Sequence, residues 1–245
     1  MANTPQGGIP PPRDSVAGLL ADLGHAARAG HGLPAVPAGT AHRFGMDALT
    51  VSALHDGLPE LVWCDPADGI GPELEELQFT LGDGPTLQAA RYGRSLIELD
   101  LPTADPARWP TFLPAAIPTA ARTVIAIPLQ LGAATLGVLT GYHSTPATLT
   151  TARQRDLRRL SRVLLFLLLN STGTAPEDET GPRAHLILHR AEIHQATGFL
   201  SLELGIPLDQ ALARLRAHAA AHDQTTTDLA QALLTHRTPP EALNR

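Results

Sequence analysis

The chain has 245 residues, 43% of them apolar and 17% charged, with a formal net charge of −6. That is long enough for one large or two modest cores, and too apolar for a disordered chain. The single Cys64 excludes an intramolecular disulfide and a multi-thiolate metal site, and fits a reducing compartment.

The N-terminus has neither the basic flank nor the apolar core of a signal peptide. The longest apolar run, Val163 to Leu169, is far short of the roughly 20 residues that span a bilayer. The expectation is a soluble, cytoplasmic protein with no membrane partner.

Residues 1–13 are rich in Pro and Gly and are expected to be disordered. Asp14 or Ser15 can cap a helix carrying Val16, Leu19, Leu20 and Leu23. Gly30 to Gly39 reads as a loop. Leu49, Val51 and Ala53 alternate as a strand, and Leu61-Val62-Trp63 continue as a second. Helices are expected at Pro72–Phe79 and Pro85–Tyr92, parted by the Gly82-Asp83-Gly84 turn. Ser95–Glu98 reads as a short strand. Phe112–Ala120 reads as a helix with Pro114 in its first turn and Pro118 near its end. Thr123–Leu131 and Thr135–His143 carry the strongest strand signals, joined by a tight hairpin containing Gly132.

A long helix is predicted from about Thr151 to Asn170. Leu157, Leu160, Leu164 and Leu167 recur at alternating steps of three and four, the spacing of a coiled-coil seam. Arg153, Arg155, Arg158, Arg159 and Arg162 crowd its first half. Two readings stand: a dimerisation helix, or a core helix flanked by a solvated face. Residues 171–182 (STGTAPEDETGP) form a polar linker.

Beyond the linker, Ile193, Ala196, Leu200 and Leu204 share one helix face. Gly205 stops that helix, and Pro207 suits the first turn of the next. Leu208, Ala211, Leu212, Leu215 and Ala219 form a second stripe. Thr225 with Asp228 approximates a capping box for a third helix lined by Leu229, Ala230, Leu233 and Leu234. The fold class is therefore α+β, a mostly antiparallel sheet flanked by helices over 14–170. A linker at 171–182, a small three-helix bundle over 183–237 and a tail at 238–245 follow.

Of the 11 His, His185 with His189 and His218 with His222 lie four apart, a spacing at which a helix could chelate a metal. No His-Glu-x-x-His pattern and no carboxylate cluster completes either pair. Cys64 reads as a small residue at a strand end. There is no P-loop and no Rossmann glycine pattern, and Gly82-Asp83-Gly84-Pro85 reads as a turn. No catalytic residue, metal or cofactor is expected.

The stretch from Glu192 to Leu234 carries Gln195-Ala196-Thr197-Gly198, then Leu204-Gly205, Ala211, Leu215-Arg216, Ala219 and Leu229-Ala230. In that order and spacing it resembles the ANTAR domain, an RNA-binding module of bacterial transcription antiterminators. A second block holds LQFTLGDGP (77–85), RWPTFLPAA (108–116) and TVIAIPLQLGAATLGVL (123–139). It looks like the GAF domain of GAF–ANTAR regulators. The resemblance implies a GAF-like sensor of an unknown small-molecule or protein signal. Trp63, Phe79, Trp109 and Phe112 are candidates to line its pocket, with plain core as the other reading. GAF-type enzymes that reduce free methionine sulfoxide depend on several cysteines, which this chain lacks.

The resemblance further implies binding to tandem stem-loops in leader transcripts, and the Leu157–Leu167 seam makes a homodimer the expected form. Carried over by position, Gln195, Thr197, Gly198, Arg214, Arg216 and the segment around Asp223 would face RNA, with His218 helping Arg214 and Arg216 if partly protonated. Gly198 inside a helix costs about 1 kcal/mol relative to Ala; either an approach of RNA or close packing between helices would account for it. From Arg183 to Arg245 the six Arg are matched by six Asp and Glu, so that region has no net charge. RNA-binding modules normally carry a basic excess. The alternative is therefore a non-catalytic signalling protein that has lost RNA binding. A thiol- or metal-dependent enzyme is a distant third.

Overall fold

Alternating apolar residues in four of the predicted strand segments build the sheet on which the first unit rests. A computed structural model describes residues 15–55, 57–146, 149–171, 182–222 and 224–243. The chain divides into two compact units, one up to residue 175 and one beyond it, with Gln78–Gly82 grouped with the second.

In the first unit, β1 (Ala48–His55), β2 (Leu58–Asp65), β3 (Leu96–Glu98), β4 (Thr123–Leu131) and β5 (Ala134–His143) form one antiparallel sheet in the order β2-β1-β5-β4-β3. Because side chains alternate across a strand, the sheet offers two buried faces. One presents Leu49, Val51, Trp63, Ile125, Ile127, Leu129 and Leu139 to α1 (Val16–Arg28) and α6 (Thr151–Ser171). The other carries Ala48, Val124, Ala126, Val138 and Tyr142 beneath α3 (Ile70–Leu81), α4 (Pro85–Tyr92) and α5 (Phe112–Ala116). A short α2 (Thr40–Arg43) precedes β1, capped by Asp65, whose carboxylate accepts from the Gly39 and Ala41 N–H groups at 2.9 and 2.7 Å.

Ser15 caps α1, its Oγ accepting from the Gly18 N–H at 3.0 Å. The helix expected over 112–120 stops at Ala116. Thr119 Oγ1 donates to the freed Ala116 carbonyl at 2.6 Å, and Pro118 has no N–H with which to continue the helix.

The coiled-coil spacing of α6 has a different outcome from a dimer seam. Leu157, Leu160, Leu164 and Leu167 are all within 1% of complete burial and belong to the sheet's own core cluster. A helix covering a sheet and a helix covering a partner need the same apolar period, and here the sheet takes it. What α6 turns outward is Arg155, Arg158, Arg159, Arg162, Phe166 and Leu169.

The second unit is three helices, α7 (Pro182–Leu204), α8 (Leu208–Ala221) and α9 (Thr226–Leu234). Ile193, Ala196, Leu200, Leu215, Leu229 and Leu233 are at most 1% exposed and form its core. Gly205 takes φ +63 and ends α7 as the glycine stop predicts, while Ser201 Oγ donates to the Ile206 carbonyl at 2.6 Å. At α9 the Thr225 hydroxyl accepts from the Asp228 N–H at 3.0 Å and donates to its carboxylate at 2.7 Å. A 3₁₀ turn, Pro240–Leu243, carries Leu243 into a buried position, although the sequence reads as a tail there. Among the described residues no helix is long and apolar enough to cross a membrane. The disorder expected for 1–13, nearly all of the linker and the side chains of His185 and His189 lie outside the described residues.

Candidate functional site

On α7 the period of the helix separates the expected RNA-facing residues. Gln195 is exposed and Gly198 half-exposed, three apart on one side, and Leu202 continues that line at 80% exposure. A Cβ added at Gly198 would meet nothing within 4 Å, so helix packing does not require the glycine. Thr197 is instead buried, its hydroxyl donating to the Ile193 carbonyl at 2.7 Å. It is a core residue of the bundle, not part of the outward face, because it falls in line with Ile193 and Leu200.

On α8, Arg214 and Arg216 are both half-buried but stand roughly 200° apart around the helix axis, so one face cannot present both. Arg214 shares its side with His218. The His218 and His222 rings stack at 4.1 Å between centroids and 20° between planes, with His222 Nδ1 2.8 Å from the His218 carbonyl oxygen. Burial, and then the neighbouring His222, hold the His218 pKa below its ordinary value. His218 is thus kept neutral near pH 7, as a flat ring rather than a cation. His222 is not among the expected site residues, although its four-residue spacing from His218 is the signal that finds it. Asp223 lies outside the described residues.

Three of the four aromatic candidates lie in the first unit, and they do not converge. Trp109 and Phe112 meet edge to face at 6.2 Å, on the sheet face covered by α3, α4 and α5. Trp109 Nε1 donates to Gln88 at 2.8 Å, and the Arg108 guanidinium lies 4.3 Å from its ring centre. Trp63 belongs to the core on the opposite face. Phe79 is buried within the segment grouped with the second unit.

A polar cluster occupies the face of Trp109 instead. Glu75 is 4% exposed, and its carboxylate accepts from the hydroxyls of Thr50 (2.7 Å), Tyr142 (2.8 Å), Thr86 (3.1 Å) and Ser52 (3.2 Å). Thr86 and Thr140 share a further bond of 2.9 Å. Thr50 and Ser52 lie two apart on β1, and Thr50 pairs with Thr140 across to β5, so strand geometry alone gathers the hydroxyls. A Cβ at Gly71 would meet the Ala48 and Thr50 side chains at 3.0 and 3.1 Å. That glycine lets α3 approach β1 closely enough for Glu75, one turn on, to reach the hydroxyls. The other notable acid is Asp83, which accepts from the Thr111 N–H and hydroxyl and the Phe112 N–H at 2.9–3.2 Å and so caps α5. Cys64 is buried at the end of β2, its Sγ 3.6 Å from the Ala67 carbonyl. Among the described residues no group of three or more His, Cys, Asp or Glu is placed to hold a metal.

Residues 187–234 match the sequence model of the ANTAR domain. The chain carries an ANTAR domain. Its matched span runs from within α7 to the end of α9, so Gln195, Gly198, Arg214, His218 and His222 are all residues of that domain. No curated protein matches the chain. Among solved structures, the first unit is similar to GAF domains. That of the Acinetobacter phosphoenolpyruvate-protein phosphotransferase shares 11% identity over 65% of this chain and 96% of its own, with a TM-score of 0.47. The corresponding domain from Coxiella burnetii gives 14% identity, 65% and 95% coverage and a TM-score of 0.48. A free methionine-R-sulfoxide reductase from Neisseria meningitidis gives 18% identity, 65% and 92% coverage and a TM-score of 0.48.

Proposed function

We propose that the protein is a transcription antitermination regulator whose ANTAR domain binds hairpin loops in nascent RNA and whose first unit, read as a GAF-like sensor, responds to a signal. The ANTAR match over 187–234 is the observation that carries this reading. Sequence-specific RNA binding targets unpaired loop bases, which stack on flat side chains while arginines hold phosphates. The outward side of α7 at Gln195 and Gly198 offers an unobstructed backbone. The stacked His218–His222 pair beside Arg214 offers a flat polar surface. Binding that favours one RNA fold over a competing terminator shifts their populations only by the difference in affinity between them.

With six basic and six acidic residues from Arg183 to Arg245, few phosphates would be neutralised and affinity would fall gently with salt. A homodimer engaging two loops would recover affinity through avidity. The same charge balance favours a second reading, a non-catalytic signalling protein that binds no RNA. Titrating the full chain against tandem-hairpin leader RNAs at two salt concentrations separates them. Loop-dependent binding at both salts supports the regulator; no binding, or binding indifferent to the loop sequence, supports the signalling protein.

A further inference from the structure

We propose that the arginine face of α6, in the first unit, is the surface that holds the phosphates of the RNA, while the ANTAR domain recognises the loop. This rests on the RNA-binding reading above and gives it a contact surface outside the matched residues 187–234. The charge of the chain is sharply divided. α6 carries five Arg against one Asp, a net of +4, whereas the other 224 residues hold 13 basic and 23 acidic side chains, a net of −10. Residues 183–245 have no net charge. The basic excess that RNA binding ordinarily uses therefore lies on α6 and not in the bundle.

Stability of the fold does not account for these arginines. Arg155, Arg158, Arg159 and Arg162 are all exposed. Arg155 with Arg159, and Arg158 with Arg162, stand four apart, the spacing at which like charges on a helix repel. Asp156 relieves only Arg159, at 3.5 Å. Among the described residues, Arg155, Arg158 and Arg162 have no ion pair. A row of uncompensated guanidiniums, about 6 Å apart along the axis at each step of four, suits successive phosphates of one strand. The ANTAR match in the same chain favours RNA over an acidic protein as that polyanion. The positive surface also extends beyond these four residues. Arg153 and Asp156 border a cleft of about 340 Å³ that His42, Arg43 and Phe44 line as well. The Arg153 guanidinium packs over Gly45, where a Cβ would come within 2.5 Å of it.

The test titrates the full-length chain, as wild type and as Arg155→Gln with Arg162→Gln, against tandem-hairpin RNA over a range of salt. The two substitutions remove both like-charge pairs, so the Tm of the variant should equal or exceed that of wild type. Its affinity for RNA should fall at least roughly tenfold at low salt. The slope of log K against log salt should become shallower by about 1.4, two single-strand phosphate contacts at roughly 0.7 each. Arg28→Gln with Arg91→Gln, two exposed arginines of α1 and α4, changes the net charge equally and should leave affinity and slope near wild type. Wild-type binding with an unchanged slope in the α6 variant overturns the proposal and leaves the regulator standing, as does an equal loss in the control pair. A wild type that binds no hairpin overturns both. A lowered Tm in the α6 variant would give the two arginines a structural role and overturn the proposal. Preference for phosphatidylglycerol vesicles over the hairpins would assign the face to a membrane and overturn it too.

Discussion

Gly198 lies inside α7, where Gly costs about 1 kcal/mol against Ala, and nothing crowds the position. Gly198→Ala should therefore raise the stability of the ANTAR domain by about that amount in chemical denaturation. If RNA approaches the backbone here, affinity for tandem hairpins should fall at the same time; unchanged affinity would remove Gly198 from the surface. His218 allows a second prediction. Its pKa is lowered by burial and by His222, so as pH falls through 6.5 the unfolded chain takes up the proton first and this histidine costs stability rather than adding it. His222→Ala removes one of the two causes. An NMR titration should then show the His218 pKa raised but still short of 6.5, because burial remains.

At the scale of the element, α6 is where the pattern and the structure part company. Steps of three and four describe its leucines under both readings, and no local signal says whether a sheet or a second helix will cover them. Leu164→Ala should cost about 2–5 kcal/mol by denaturation, as expected of a fully buried core position. Strands β1, β2, β4 and β5 are legible within three residues at each end because alternation and turn glycines mark them. The Glu75 cluster is not legible. Thr50 and Ser52 occupy the polar positions of an alternating strand, which ordinarily face water, and nothing local in Glu75 signals that a helix will carry it onto that face. Where α7 ends and where α9 begins is legible, through Gly205 and the Thr225 cap, whereas nothing in the sequence marks the start of α7 at Pro182. Family position singles out Thr197 and Arg216, and the helical period then sends them to sides other than that of Gly198 or Arg214.

For the whole molecule, the proposed dimer cannot use leucines already buried against the sheet. The large apolar residues that α6 leaves exposed are Phe166 and Leu169, at 54% and 36%. Phe166→Asp should leave stability within about 0.5 kcal/mol, as exposed positions usually do, while converting a dimer to a monomer by light scattering. An unchanged dimeric mass would place the interface elsewhere. The sheet order also bears on how the protein is made. β1 pairs with β5, Ala48 against Tyr142, so the middle of the sheet has no partner until that later strand is synthesised. At bacterial-like elongation rates the wait is roughly 5–20 s. The β1–β2 hairpin passes it with Leu49, Val51 and Trp63 uncovered, whereas the C-terminal helices find their partners within a few dozen residues. A nascent chain stalled between β2 and β5 is thus the form of this protein most in need of a chaperone.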